Sequence, residues 1–227
     1  MMHMVTVTQE ILSLQDFANK KGKVTVETIE APHGKRFFFF VKRLFDIIVS
    51  AVLLIVLLTP MLLLSAMVAV DTRANPIYRQ VRLGKNEKPF VLLKFRSMRK
   101  DAEKDGAQWA AQDDPRVTRL GKVLRNYRID ELPQLLNILL GDMSFVGPRP
   151  ERPEFYDVFD TYIEGYRQRM YVLPGLTGHA QVNGGYELQP EEKIIFDIEY
   201  IRSCSCGFDA RCLLRTFATV FFSKGAR

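Results

Sequence analysis

An apolar run of about 27 residues, Leu44 to Val70, constrains this chain more than any other feature. It reads LFDIIVSAVLLIVLLTPMLLLSAMVAV, and its one charge is Asp46. As a helix it would measure roughly 40 Å, more than the ~30 Å hydrocarbon core of a bilayer. Length therefore permits a tilted spanning helix. Two details favour another solution. Thr59-Pro60 sits in the middle of the run. Proline removes a backbone donor and disfavours helical angles in the residue before it, so a kink or break is expected there. The flanks are both basic: Lys35, Arg36, Lys42 and Arg43 precede the run, and Arg73, Arg79, Arg82 and Lys85 follow it. Positive residues mark the cytoplasmic side, so a spanning helix would leave one basic cluster on the wrong face. A re-entrant helix–break–helix that enters and leaves by the same face satisfies both flanks. The competing arrangement is a kinked single-span anchor. Phe37 to Phe40 suit the interface just before the run.

The rest of the chain is polar and basic. The 227 residues carry a net charge of +6, which points to anionic partners such as lipid headgroups, nucleotides or nucleic acid. No nucleic-acid-binding module or aromatic–basic repeat is present, so a nucleic-acid partner is not expected. Three clustered cysteines, Cys204, Cys206 and Cys212, make a poor disulfide framework and lack a fourth ligand. They are expected as reduced thiols. The N-terminal segment has no early apolar core, and no cleavable signal peptide is expected. The chain divides into a polar extension over 1–34, an interfacial and membrane segment over 35–72, and a cytosolic domain over 73–227.

Two short strands are predicted over Ile77–Val81 and Phe90–Phe95, joined by a turn at Gly84-Lys85-Asn86. Residues 99–116 read as a helix and then a loop. Val117–Tyr127 reads as a short basic helix. Ile129, Leu132, Leu135, Leu136, Leu139 and Leu140 form an apolar stripe at helical spacing, with Gly141 as its C-terminal cap. Further helices are predicted over Glu151–Tyr171 and Pro190–Arg202, with a Gly/Pro loop from Pro174 to Gly185. The tail from Phe208 to Phe222 is amphipathic, suited to a membrane surface or to packing on the core. The fold class is α/β and mostly helical: a broken membrane helix, a small catalytic domain with a β-hairpin, and surface amphipathic helices.

The chemistry concentrates in RIDELPQLLNILLGDMSFVGPRP, residues 128–150. Asp130 and Glu131 adjoin at the start of the apolar helical pattern. A lone Asp there would be read as an N-cap. Here Lys122, Arg125 and Arg128 lie just upstream, and a helix start attracts phosphate. A carboxylate is a competent nucleophile, and an adjacent one can hold Mg²⁺ or manage a proton. Two prolines brace Arg149 in Gly147-Pro148-Arg149-Pro150, which suits bidentate phosphate binding. Lys94 and Arg96 are either solvated strand-end charges or further phosphate contacts. Asp197 and Tyr200 share a helix face, as surface and half-buried residues or as part of the site. Outside the N-terminal region His179 is the one histidine, so zinc hydrolase and Ser-His-Asp schemes are poorly supported.

Taken together, VKRLFDIIVSAVLLIVLLTP, LLKFRSM, LRNYRIDELPQLLNILLGDMSFVGPRPERPEF, LPGLTGHAQVNGG and FDIEYI resemble the bacterial sugar transferase family, the monotopic polyprenyl-phosphate hexose-1-phosphate transferases. The match runs from about Lys42 to the C-terminus. Several ordered motifs at family-like spacing make it specific. The resemblance implies a UDP-sugar donor, Mg²⁺, and a polyprenol phosphate acceptor such as undecaprenyl phosphate, with polyprenyl diphosphate-sugar and UMP as products. It implies an exopolysaccharide- or O-antigen-initiating enzyme at the inner leaflet of the bacterial cytoplasmic membrane, and leaves a homodimer open. By motif match Asp130 is the nucleophile that carries the phosphosugar, and Glu131 is its partner at the metal. Arg149 binds phosphate, and Lys94, Arg125 and Asp197 support the site. Thr59-Pro60 falls where family members break a re-entrant helix. The loop carrying Thr177, Gln181 and Asn183 is a candidate donor contact. It departs from the family pattern, with His179 for Trp and Gly185 for Arg. The alternative function is a membrane-anchored scaffold or binding protein of a polysaccharide assembly.

Overall fold

The computed structural model describes residues 18–19, 21–102, 104, 114–184 and 188–222. Among these the fold is mostly helical, with three two-stranded sheets. The apolar run forms helix α1 (Arg36–Val56) and helix α2 (Leu58–Thr72), which meet at a bend of 64°. No single described helix is long and apolar enough to cross a membrane. The bend falls at Leu57, with Thr59 and Pro60 in the first turn of α2. Its cause is local. Pro60 lacks the N–H that would have bonded the carbonyl of Val56, and α1 ends at Val56. The pair has two faces. Val49, Leu53, Leu54 and Leu57 pack against the domain core, while Ile55, Leu62, Leu63 and Val70 are exposed. So broad an apolar face is unusual for a surface bathed only in water.

The expected hairpin is present and slightly longer. Strands β2 (Ile77–Leu83) and β3 (Pro89–Phe95) pair antiparallel, with Tyr78 opposite Lys94, and Lys85–Glu87 form the turn. Most of the helix and loop expected over residues 99–116 lies outside the described residues. Helix α3 (Arg119–Asn126) starts at a Thr118 cap whose hydroxyl accepts from the Gly121 N–H at 2.8 Å. A 3₁₀ turn (Ile129–Glu131) leads into helix α4 (Gln134–Leu140), which Gly141 closes as expected.

Two expectations are corrected downstream. The helix predicted over Glu151–Tyr171 is three elements: helix α5 (Pro153–Asp160), strand β5 (Ile163–Glu164) and a 3₁₀ helix (Tyr166–Tyr171). Gly165, at φ +88°, turns the chain between the last two. The predicted loop after Pro174 holds strand β6 (Gly175–Thr177) and the one-turn helix α6 (His179–Asn183). Strands β1 (Val24–Thr25) and β4 (Ser144–Val146) were also unforeseen, and pair parallel with β5 and β6 respectively. Strands of two or three residues are too short to display an alternating pattern. Helices α7 (Pro190–Ser203) and α8 (Cys206–Phe222) complete the fold. One face of α8 buries Cys212 on the core, while Leu214 and Phe217 stay exposed.

The described part of residues 1–34 docks on the domain rather than hanging free. Besides β1, Lys21 pairs with Glu191 at 2.5 Å, the Ile29 N–H donates to Gln168 at 2.5 Å, and Glu27 pairs with Arg202. Three apolar clusters form the interior. One packs α5 and its aromatic neighbours Phe159, Tyr162 and Tyr166 against Ile194. A second joins β3, α4 and β4 to α1 and α7 through Leu135, Ile138, Phe145 and Ile201. A third sets Val68 of α2 against Phe95 and Leu124. The hairpin, α3, α4 and β4 are thereby fixed beside the apolar helices, and the ends of those elements bear the candidate site.

Candidate active site

The site begins with a strained turn. Arg128 adopts left-handed angles (φ +54°), a costly conformation for a residue with a β-carbon. It swings the chain out of α3 and turns Ile129–Glu131 into a 3₁₀ helix instead of the N-terminus of a longer α-helix. Asp130 is therefore no N-cap. Asp130 and Glu131 are both buried, an expensive place for a carboxylate unless cations answer it.

Three segments supply those cations. Arg149 Nη2 donates to Glu131 Oε1 at 2.6 Å, and Lys94 Nζ, near the end of β3, stands 3.8 Å from the same oxygen. Arg125, on the last turn of α3, donates through Nε to Ser97 Oγ at 2.8 Å and faces Asp130 with its charge. The two adjacent carboxylates are driven apart in acidity. Burial, then the neighbouring Glu131 charge, push the Asp130 carboxyl up to about 6. Burial also opposes the Glu131 charge, but Arg149 and Lys94 outweigh it and hold that carboxyl down to about 2. Burial brings Lys94 down to about 8. At neutral pH Glu131 is thus firmly anionic, and Asp130 is ionised but close to its titration point. This split is the signature of two acids with different tasks.

Arg149 is held by its backbone as well. Strand β4 runs parallel to β6; the Gly147 N–H donates to Thr177 O and the Gly175 N–H to Pro148 O, both at 2.9 Å. A β-carbon on Gly175 would fall 2.1 Å from Gly147 N, so the two paired segments lie in backbone contact there. The carbonyl of Arg149 then accepts from Arg169 Nη2 at 3.0 Å. Arg169 is buried, bonded to Asp197 Oδ2 at 2.7 Å and to the Tyr166 hydroxyl at 2.6 Å. Asp197 therefore meets the site through Arg169 and the Arg149 backbone. Removing one member of so buried a pair leaves a naked charge, at a cost of roughly 3–5 kcal/mol. Asp197→Ala is expected to lower stability in chemical denaturation by about that amount. An unchanged midpoint would show that the pair is not structural.

The other sequence-predicted residues are placed as follows. Arg96 donates through Nε to Asn75 O at 2.9 Å and lies over the Tyr78 ring. Tyr200 donates to Asp209 at 2.8 Å inside the second core. Thr177 Oγ1 contacts Thr216 Oγ1 at 2.7 Å, beside the Gly147–Arg149 loop. Gln181 is buried, and among the described residues neither end of its amide has a hydrogen-bond partner. Asn183 bonds His179 and accepts from Arg215 at 3.0 Å. His179, at the position where the family pattern has Trp, lies edge-on to Phe196 and Phe208. Its Nε2 is 3.1 Å from Glu199 and its Nδ1 is 3.0 Å from the Asn183 amide. Gly185 lies outside the described residues.

Sequence reasoning missed several residues that hold this arrangement. Asn137, a polar residue inside the apolar stripe, accepts from Leu93 N–H at 3.0 Å and donates to Val91 O at 2.8 Å, clamping α4 to the strand that carries Lys94. Its position in LLNILL was the available signal. Arg169 gave none beyond its aromatic neighbours. Arg82 bonds Pro150 O at 3.2 Å and Glu151 at 3.4 Å behind the proline-braced loop. As to a cation, the described residues hold no cluster of three or more His, Cys, Asp or Glu. Asp130 and Glu131 form a two-carboxylate set, which fits Mg²⁺, an ion commonly bound by one or two carboxylates plus substrate phosphates.

Comparison with known proteins identifies the family. A family model described as bacterial sugar transferase matches residues 37–223. The chain is 42% identical over 193 residues to a UDP-N-acetylgalactosamine-undecaprenyl-phosphate N-acetylgalactosaminephosphotransferase of Aeromonas hydrophila, covering 84% of this chain and 46% of that protein. It is 49% identical over 133 residues to a putative undecaprenyl-phosphate N-acetylgalactosaminyl 1-phosphate transferase of Bacillus subtilis (strain 168), covering 59% and 74%. It is 40% identical over 191 residues to a UDP-glucose:undecaprenyl-phosphate glucose-1-phosphate transferase of Escherichia coli (strain K12), covering 82% and 41%. The chain thus spans about half the length of several curated relatives it matches, this first and third among them.

Proposed function

The chain belongs to the bacterial sugar transferase family, and from that premise we propose that it transfers a sugar 1-phosphate from a UDP-sugar to undecaprenyl phosphate. The observation that carries the reading is the Asp130–Glu131 pair, buried under Lys94, Arg125 and Arg149 beside a bent apolar helix pair. Relatives named for UDP-sugar and undecaprenyl-phosphate chemistry support it.

The cationic cluster accepts the donor diphosphate and offsets charge that would otherwise repel the carboxylates. Asp130, ionised above about pH 6, attacks the phosphorus that bears the sugar. The bond between that phosphorus and the UMP oxygen breaks, and UMP leaves with the electron pair. The sugar phosphate stays on Asp130 as an acyl phosphate. An oxygen of the lipid phosphate then attacks the same phosphorus, the acyl bond breaks, and Asp130 is freed as carboxylate. Glu131 stays ionised throughout, held by Arg149. Mg²⁺ on Asp130 and Glu131 would neutralise phosphate charge when bound. The unpartnered Gln181 amide is the donor-loop group best suited to read a polar ligand. The test is UMP release by purified protein with Mg²⁺, undecaprenyl phosphate and a panel of UDP-sugars. No UMP with any donor would sink the reading and favour a lipid-binding scaffold.

The bent pair is read as re-entrant, with both basic flanks and the catalytic domain on the cytoplasmic face of the inner membrane. In a chain whose native cysteines are replaced by serine, Phe37→Cys is expected to resist an impermeant maleimide added outside intact cells, and to react after permeabilisation. Labelling from outside would establish a spanning helix instead.

A further inference from the structure

Three charged residues near the start of the apolar run are turned to backbone, not to solvent. The Arg43 guanidinium donates to Ile138 O at 2.6 Å and to Leu139 O at 2.8 Å, the last carbonyls of α4. Lys42 Nζ donates to Val146 O at 2.9 Å and pairs with Asp209 at 2.5 Å. Asp46, buried in α1, accepts from the Phe145 N–H at 3.1 Å. Arginine over a helix C-terminus meets carbonyls with acceptor capacity to spare and the negative end of the dipole, and its fork can hold two of them at once. Gly141 makes room for it: at φ +99° a β-carbon would be strained, and it would stand 3.1 Å from Arg43 Nη2.

The destinations of these bonds are what matter. Helix α4 follows directly on the turn that carries Asp130 and Glu131. Val146 precedes Arg149 by three residues. One turn of α1 therefore grips both segments whose ends meet in the Glu131–Arg149 bond. We propose that Arg43 is a positioning residue, which with Lys42 and Asp46 sets the Asp130–Glu131 pair and Arg149 against each other from the membrane element. The catalytic geometry is then referenced to the helix that sits in lipid, not only to the domain core. The kinetic part of this inference rests on the function proposed above, and the structural part does not.

The experiment compares full-length wild type, R43Q and R43K in phosphatidylglycerol nanodiscs by hydrogen exchange and by UMP release. R43Q is expected to speed exchange at residues 129–141 and 144–149 and to leave 190–203 unchanged. Its kcat should fall about 10-fold with the donor KM within about two-fold, the mark of misplaced rather than weakened groups. R43K keeps the charge without the planar fork and should restore part of both. K42Q, a second variant should R43Q not fold, is expected to loosen 144–149 and spare 129–141. Unchanged exchange over 129–149, or a uniform rise across the domain, would overturn the proposal. A wild type that releases no UMP counts against the proposed function, while the exchange pattern still decides the positioning.

Discussion

Asp130→Asn is expected to release no UMP above background, a loss of at least about 10³-fold, and to unfold at a higher temperature than wild type. The first half follows from the role proposed for Asp130: an amide cannot form the acyl phosphate, so no phosphosugar adduct should be isolated. The second half follows from linkage. The folded carboxyl titrates near 6, above its ordinary 3.8, because burial and Glu131 resist its ionisation. As pH rises from 3.8 through about 6, the unfolded chain gives up this proton more readily, and the folded state loses stability relative to it. Asparagine never ionises. Its stabilising effect should therefore be small below pH 4 and full above pH 6. Thermal unfolding at pH 4 and pH 8, beside a UMP assay, checks both halves. Full turnover in the variant would remove Asp130 from the chemistry.

Arg149→Gln is expected to lower kcat/KM by roughly 10²-fold, in line with the loss of one pre-organised charged donor. It should also move the acidic limb of the pH–rate profile upward. Arg149 is among the cations that hold both carboxyls down, so its loss raises the Asp130 titration point and leaves less nucleophile at pH 7. Lysine should restore charge without restoring rate, because one ammonium cannot serve Glu131 and a phosphate with the same planar fork. Profiles between pH 5 and pH 9 for the three proteins would show it. An acidic limb unmoved in Arg149→Gln would mean that this guanidinium does not act on Asp130.

Much of the site was legible because its chemistry is local in sequence. Asp130 and Glu131 adjoin, Arg125 and Arg128 precede them by a few residues, and prolines flank Arg149. The hairpin and the helix ends were equally readable, since their turns use Gly84 and Gly141 and their strands are seven residues long. What could not be read is where distant backbone segments meet. Nothing in GPRP announces that β4 lies along β6, and nothing in YRQRM announces that Arg169 will hold the Arg149 carbonyl. For Arg96 the sequence left open a strand-end charge or a phosphate contact; one residue beyond the strand, its side chain is on Asn75 and Tyr78, a placement that sequence alone does not give. Arg43 and Lys42 were counted as flank charges that set orientation, a role any basic residue could play. Their hydrogen bonds to particular carbonyls give them a second one that composition cannot encode.

The close approach of Gly147, just after β4, to Gly175 in β6 makes small size there a condition of how Arg149 is placed. With the chains in backbone contact at Gly147 and Gly175, Arg149 and the start of the predicted donor loop are carried by one hydrogen-bonded pair of strands. A methyl at either glycine must wedge these strands apart, and so would displace Arg149 without touching it.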